Sequence, residues 1–480
     1  MIEAVDSKDS LINEENSSLK KKKLIIYSLI ILGIVVVIIT IIVVIYALNK
    51  EDEDKEKPKQ EDFFLNKIKA TFLVNDSGNK IKLINKPFDN LNIHLFINDK
   101  EANFETEHQF NETGEYLVEF GFNEELTNLS SLFMNIINLT KIDLTGIVTD
   151  KVKNMDNLFK GCISLESANL NKINTINVES MISMFQGCTN LIKIDMENFI
   201  TSSTKDATSM FENCFNLSEI NINYFNFTNI EEAKYMFRNC YSLTKISLIN
   251  NNESSDINMQ STFSECHSLK NLNLEKFGKK NIKEISFMFN NCYSLESIDL
   301  SKFDISQVTS IEYLFSNCSS LQSIDISHLN FNNVEYMGYA FRNCSKLTSI
   351  DLSNFNTSKT KTISGLFFGC SSLESISLNK FNIDITSIAD LFNGCSSLKR
   401  ATLRVENVQH VDRVFAKCNS LQVLDLSEFN GLGIALYIND FFPEIDAANI
   451  IYNSSIFGKN LEKRIPEGWN KTDINNQTIY

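Results

Sequence analysis

Eleven cysteines are the residues of this 480-residue chain whose type and spacing most directly suggest chemistry. Thiols can form disulfides, bind a metal or act as nucleophiles. No Cys-x-x-Cys pair occurs and the number is odd, so a paired metal site is not indicated. Eight consecutive intervals between cysteines are 26 residues and the last two are 25 and 23, at Cys162, Cys188, Cys214, Cys240, Cys266, Cys292, Cys318, Cys344, Cys370, Cys395 and Cys418.

This spacing places one cysteine in each unit of a repeat. Cysteines in register on successive stacked turns lie ~4.8 Å apart with parallel Cβ vectors, whereas a disulfide prefers Cβ atoms ~3.8 Å apart. We therefore expect a ladder of small, buried thiols. Bridging of some pairs is the alternative, because an extracellular chain meets oxidising conditions.

The other reactive side chains form no catalytic motif. The sequence contains no nucleophile motif, HExxH or Gly-rich phosphate loop. The formal charge of -15 argues against nucleic acid as a partner, because a polyphosphate needs a basic surface. We expect no enzyme, no cofactor and no metal centre. The five histidines occupy no common repeat position and stand at His94, His108, His267, His328 and His410.

A file of carboxylates and hydroxyls is the candidate ligand surface. Its residues recur five and seven positions after a cysteine, so we expect them to stack on the outer face of three neighbouring units. Oxygen-only clusters suit Ca²⁺ and guanidinium groups, which predicts a cation-assisted or basic-ligand site. A hydrated polar sheet without a ligand is the alternative. The residues are Asp299, Asp325, Asp351, Ser297, Ser323 and Ser349.

Hydrophobic residues keep the same period as the cysteines. A Phe stands three residues before each Cys and a Leu three after it. Phe133, Ile136 and Leu139 add a further unit, with Ile in the cysteine position. A fixed period of this kind is the signature of a solenoid, in which each unit buries its apolar face only against its neighbours.

The residues before the cysteine predict a short helical turn in each unit. In the unit IEYLFSNCSSLQSIDISHLNFNNVEY at 311–336, Tyr313 to Phe315 are interpreted as one helical turn ended by Asn317. Gly or Asn fills this last position in nine of the eleven cysteine units, and both accept the left-handed conformation of a helix end.

The residues after the cysteine predict a strand. Leu321, Ile324 and Ile326 alternate with polar residues, as in a strand with one buried face. Twelve stacked units would give a parallel sheet ~55–60 Å long. No Pro occurs from residue 89 to 442, which is compatible with continuous ladders. The fold class expected is an α/β repeat solenoid.

The repeat resembles the BspA-like leucine-rich repeat of microbial and protist surface proteins. The resemblance is carried by FNNCYSLESIDLSKF at 289–303 and FRNCSKLTSIDLSNF at 341–355. It implies a right-handed solenoid on a cell-surface protein that mediates adhesion or recognition without catalysis. RVENVQH at 404–410 shortens one return loop and lacks the usual Phe, and the sequence after 430 leaves the pattern.

The region before the repeats predicts a membrane anchor. Residues 24–48 contain no charge and are long enough to cross ~30 Å of hydrocarbon. Four lysines at 20–23 place the N-terminus in the cytoplasm. A cleaved signal peptide is the alternative. The expected organisation is a cytoplasmic tail 1–23, a transmembrane helix 24–48, a charged stalk 49–62, a β-rich cap 63–127, about 12 repeats of 23–26 residues at 128–429 and a C-terminal cap 430–480.

Sequence triplets for N-glycosylation follow the hydrophobic segment and support its assignment as an anchor for an extracellular region. The candidate asparagines are Asn75, Asn111, Asn128, Asn138, Asn216, Asn226, Asn252, Asn317, Asn343, Asn356, Asn453, Asn470 and Asn476.

These observations predict a single-pass protein of the plasma membrane or cell surface that binds an extracellular protein or glycan. A structural glycoprotein of a cell coat is the main alternative, and an ectoenzyme is a remote one because no catalytic site is assembled.

Overall fold

The computed structural model describes most of the chain after residue 63. The predicted tail, transmembrane helix and stalk lie outside the described residues. Within the described part, no helix is both long and apolar enough to span a bilayer. The structure describes residues 64–85, 92–196, 199–222, 225–248, 256–272, 280–352, 355–379, 381, 385–406, 408–430 and 440–475.

Among the described residues, turns and irregular segments connect short strands, and helix is limited to two short segments, α1 (Ser454–Phe457) and α2 (Lys459–Glu462). The strands are β1 (Asn66–Val74), β2 (Lys80–Lys82), β3 (His94–Ile97), β4 (Lys100–Ala102), β5 (Glu107–Gln109), β6 (Gly114–Phe122), β7 (Leu139–Gly146), β8 (Ser167–Asn169), β9 (Lys193–Asp195), β10 (Glu219–Ile222), β11 (Lys245–Leu248), β12 (Asp256–Asn258), β13 (Asn271–Leu272), β14 (Lys280–Glu284), β15 (Ser297–Ile298), β16 (Phe303–Asp304), β17 (Ser375–Leu378), β18 (Arg400–Leu403), β19 (Val423–Leu426), β20 (Asn449–Tyr452) and β21 (Asn470–Asp473).

An antiparallel sheet opens the described chain and joins the repeats directly. β1 pairs antiparallel with both β6 and β7, and β3 and β4 extend the sheet beyond β6. β7 then pairs in parallel with β8, and β8 with β9. One sheet of order β4-β3-β6-β1-β7-β8-β9 therefore covers the first edge of the solenoid, which leaves no open strand at that end of the repeats.

The repeats form a parallel-sheet solenoid of about 11 turns, which we call coils. Strand partners are one repeat apart: Glu219 pairs with Lys245, and Ser375 with Arg400. A second ladder of single-residue bridges lies eight residues before the cysteine, as between Asn128 and Asn154. The parallel sheet continues past the last cysteine through β19, β20 and β21.

The prediction of a helical turn before each cysteine is wrong. The segment consists of successive tight turns, because two residues per coil have a positive φ, as at Tyr313 (55°) and Asn317 (61°). The positive φ before the cysteine agrees with the preference for Gly and Asn there. The second one, five residues before the cysteine, interrupts the helix and is filled mostly by residues other than Gly.

In this turn segment, some backbone N–H groups donate to the next coil and others donate within their own coil. The N–H of Phe315 donates to the carbonyl of Ala340 in the next coil at 2.7 Å, whereas the N–H of Cys318 donates to the carbonyl of Phe315 in its own coil at 3.0 Å. Each coil is thus hydrogen-bonded both within itself and to its neighbour. This accounts for the polar backbone at the centre of a core that excludes water.

The repeated phenylalanines form a continuous buried stack. Rings in neighbouring coils lie 5.1–5.9 Å apart from Phe133 to Phe415 and are nearly parallel. Edge-on rings close the stack at both ends, Phe120 against Phe133 and Phe441 against Phe415. Offset stacking of this kind stabilises beyond the burial of apolar area by about 0.5–1.5 kcal/mol per pair.

The eleven cysteines are free and buried. Each thiol donates to the carbonyl oxygen of the phenylalanine in the preceding coil at 3.0–3.2 Å. Ile136 occupies the cysteine position of the first coil, where no preceding coil offers a carbonyl. The cysteine is therefore used as a small core residue that also carries one weak hydrogen bond.

Phe315→Ala should reduce the free energy of unfolding by about 3–5 kcal/mol, because it removes a fully buried ring from the stack and leaves a cavity. Denaturant titration of the full chain measures the change. Phe287→Ala removes a half-buried ring from the preceding coil, outside the buried stack, and serves as the control with a smaller loss. Equal losses for the two variants would contradict the buried stack.

Native thiols should resist alkylation even at pH 9. Burial raises the pKa of Cys162 and of Cys418 to about 12, so both remain protonated where an exposed thiol of pKa ~8.5 is mostly ionised. Denaturation without a reductant should then expose eleven reactive thiols, counted by mass spectrometry. A set of disulfides surviving that treatment would contradict the free thiol ladder.

Candidate functional site

The predicted carboxylates lie on the exposed outer face of the strand segments. Asp299, Asp325 and Asp351 are exposed, as are the three serines two positions before them. The structure thus places all six predicted residues on one surface of consecutive coils.

Two of the three carboxylates accept hydrogen bonds within their own coils. Asp325 Oδ1 accepts hydrogen bonds from the hydroxyl of Ser327 at 2.7 Å and from its N–H at 3.0 Å, and Asp299 Oδ1 accepts the N–H of Ser301 at 2.8 Å. These bonds hold the pKa of Asp325 and of Asp299 below the ordinary range. Both side chains therefore stay negatively charged at neutral pH.

The predicted continuous sheet is interrupted where these like charges follow one another. Described residues 321–327 and 347–352 form no strand. The sheet is intact at the strands of Asp143 and Asn169, where Asn169 donates to Asp143 at 3.3 Å. Repulsion within the file Asp299, Asp325 and Asp351 is not the common cause of such breaks, because β9 and β10, and also β11 and β13, lie in separate sheets although no two carboxylates face each other there.

The described residues offer no additional metal-binding side chains to support the predicted cation site. Among the residues that the structure describes, no three His, Cys, Asp or Glu side chains are grouped so that they could hold a metal ion. Two of the three carboxylates point their oxygens at their own turns, as described above. The basic-ligand form of that prediction stays a prediction.

A groove of about 470 Å³ opens on this face between the coil of Asp351 and the two coils after it. Its floor contains Ile350 and Ile376. Ile350 is half-buried, whereas Ile376 is buried like most residues at that position. We call this cavity the strand groove and define it by its polar lining, Ser349, Asp351, Ser375, Ser377, Asn379, Arg400 and Thr402.

Arg400 is the residue of the strand groove that the sequence analysis missed. Its side chain is exposed. Two other cations nearby are paired, Lys399 with Glu374 at 3.1 Å and Arg404 with Glu428 at 3.1 Å. The position five residues after the cysteine could have revealed it, because Arg400 follows a run of serines there.

A partly exposed file of aromatic rings lies directly after the cysteines of four consecutive coils. Phe215, Tyr241, His267 and Tyr293, each one residue after a cysteine, stack at 4.6–4.9 Å. The exposed fraction of Tyr293 is 43%. From Ser319 onward the same position holds serine until the last unit. The change from aromatic residues to serine becomes visible only when the units are aligned by their cysteines.

The candidate glycosylation sites differ in their surroundings. Asn317 and Asn343 donate their side-chain amides to the asparagine one coil earlier at 2.5 and 2.7 Å, so a glycan on either nitrogen would replace a ladder bond. Asn138 donates its amide to the carbonyl of Leu73 at 2.9 Å. Asn252 and Asn476 lie outside the described residues. Exposed candidates are Asn75, Asn111, Asn216, Asn356 and Asn470.

Comparison with protein families identifies the repeat region. A family model described as "Mycoplasma protein of unknown function, DUF285" matches residues 127–252, 257–381, 314–429 and 362–449. These matches cover more than half of the 480 residues. No curated protein matches the chain. The BspA-like name remains an interpretation of the repeat motif.

Solved structures with similar repeats are distant. A leucine-rich cell-surface protein from Faecalibacterium prausnitzii A2-165 is 19% identical with a TM-score of 0.38, over 70% of this chain and 84% of that one. A leucine-rich repeat protein of Leptospira interrogans is 13% identical with a TM-score of 0.20, over 67% of this chain and 90% of that one.

Asp325→Asn should lower the denaturant midpoint slightly at neutral pH. Asparagine keeps an oxygen that can accept from Ser327 but loses the negative charge, and the lowered pKa of Asp325 indicates that the folded coil stabilises that charge. Asp425, which accepts the N–H of Ser427 at 3.0 Å in the intact sheet, is the control, and Asp425→Asn should lose less. A higher midpoint for Asp325→Asn would show that repulsion within the file outweighs these hydrogen bonds.

Proposed function

The chain belongs to the family described as "Mycoplasma protein of unknown function, DUF285", and we propose that it is a membrane-anchored recognition protein of the cell surface. In this proposal the solenoid binds an extracellular protein or glycan, as in adhesion, and carries out no catalysis. The observation that carries it is the strand groove, an open cavity on the outer face of a rigid stack of coils.

The composition of the strand groove suits binding. Its volume lies within the roughly 300–1,000 Å³ of small-ligand sites, and it combines an apolar floor with hydroxyl, carboxylate and guanidinium groups. The coils on either side are fixed by the phenylalanine stack. A ligand would therefore meet side chains that are already positioned, which lowers the entropy cost of binding.

The absence of catalysis is proposed from the state of the thiols. Cysteine is the most intrinsically nucleophilic residue in the repeats, but its thiolate is the reactive form. Burial raises the pKa of Cys188 and of Cys214 well above the ordinary value, and both thiols donate to backbone carbonyls. These groups contribute to packing and are screened from any substrate.

Membrane anchoring is proposed from the sequence. The uncharged segment 24–48 is long enough to cross a bilayer, and the charged residues 49–62 would extend the solenoid away from the surface. The four lysines before the segment favour a cytoplasmic N-terminus. The repeats would then be displayed outside the cell.

A structural role in a cell coat is the second candidate. The unbroken phenylalanine stack from Phe133 to Phe415 makes the repeats a stiff spacer, and exposed candidate glycosylation sites such as Asn216 and Asn356 could carry the working surface. The coat role does not depend on the strand groove, whereas recognition does. An experiment that fills the groove and measures binding therefore distinguishes the two roles.

Ser375→Trp should lower the attachment of cells that display the full chain to matrix-protein and glycan surfaces by at least about tenfold, because the indole fills the strand groove. Ser297→Trp is the matched control: the serine is exposed at the same repeat position but lies outside the groove. Attachment is counted per displayed molecule.

Undiminished attachment of the Ser375→Trp variant would contradict the role of the groove. Failure of the wild-type chain to attach to any of these surfaces would contradict recognition and favour the coat role.

A further inference from the structure

The strand groove contains a guanidinium group for which the described residues supply no partner. No hydrogen bond or ion pair is made by the Arg400 side chain with the part of the chain that the structure describes. Arg404, four residues later, pairs with Glu428. Arg400 differs from this neighbour in facing a cavity, where its donors remain available to a ligand.

Hydroxyl groups surround this cation in fixed register. Ser375 pairs directly with Arg400 across β17 and β18, and Ser377 pairs with Thr402. Strand neighbours at these positions point to the same face as the arginine, because side chains alternate along a strand. One ligand lying on this face would therefore contact the guanidinium and several hydroxyls together.

A carboxylate and an apolar floor complete the groove. Asp351 lies two coils before Arg400 and supplies an acceptor for ligand hydroxyls. Ile350, half-buried in the floor, offers an apolar contact to the C–H face of a sugar ring. An arginine for one carboxylate, acceptors and donors for hydroxyls, and a small apolar surface together match a carboxylated sugar.

The charge of the whole chain restricts the ligand further. With a net charge of -15, the protein repels a polyanion, and the neighbouring Lys399 is already paired with Glu374. A single carboxylate fits the single free guanidinium. A long acidic polymer would need several such cations.

We propose that the strand groove binds the terminal residue of a glycan that ends in a carboxylated sugar, with the sugar carboxylate on Arg400 and its hydroxyls on the serines and Asp351. The inference rests on the proposed recognition function and names its ligand class. A neutral sugar would leave the guanidinium without a partner, and a basic ligand would be repelled by it.

The test uses the full chain in detergent micelles and measures equilibrium binding of two oligosaccharides, one ending in glucuronate and one in sialate. The methyl ester of each is the neutral control. We expect binding of at least one acid, at least about tenfold weaker binding of its ester, and a similar loss in Arg400→Gln. Arg404→Gln is the matched control and should bind like the wild type.

Three results would overturn the inference: neither acid binds, acid and ester bind equally, or Arg400→Gln binds the acid as well as the wild type does. If neither sugar binds, direct binding of a glutamate-ended peptide that is lost in Arg400→Gln would replace the sugar by a protein ligand. None of these results affects the outcome of the cell-attachment experiment. The recognition function and the ligand class can therefore be refuted independently.

Discussion

Every coil of the solenoid has to repeat the position of the coil before it, because the phenylalanine rings, the thiols and the turn backbone all contact their counterparts one coil away. The stack of rings is held at 5.1–5.9 Å, and each thiol meets a carbonyl at 3.0–3.2 Å. These contacts fix the relative height of neighbouring coils from within the core. The outer strand segments inherit that spacing and can lose their pairing without separating the coils.

This division between core and surface explains how the candidate site arises. On the buried side, Phe315 and Cys318 continue their ladders through the region where strand pairing stops. On the outer side, strand pairing stops after β15 and resumes at β17. A stable core thus carries an open outer face. The strand groove lies at the end of this opening, where Ser377 and Thr402 replace the carboxylates and strand pairing resumes.

The sequence was sufficient to predict the features that depend on one residue per coil. The period of Phe, Cys and Leu predicted a solenoid, and Gly or Asn before the cysteine predicted a left-handed residue, which the φ of Asn317 confirms. The second left-handed residue was hidden because most coils have Ser, Tyr or another residue without a preference for positive φ at that position, and only Asn157 and Gly365 carry the usual signal. The groove could not be predicted, since it depends on lost pairing between coils and not on the composition of any one coil. Arg400 became a site residue only when the structure placed it beside Ser375.

Hydrogen–deuterium exchange of the full chain, resolved to individual amides, tests most directly whether a continuous core supports an interrupted outer sheet. The account predicts fast exchange for the strand-segment amides of residues 323–326 and 349–352, and slow exchange for those of β17 and β18 and for the turn amides of Phe315 and Phe341, which donate to the next coil. Equal protection of the strand segments throughout the repeats would contradict it, because the strand face would then be closed and the groove would have no structural origin.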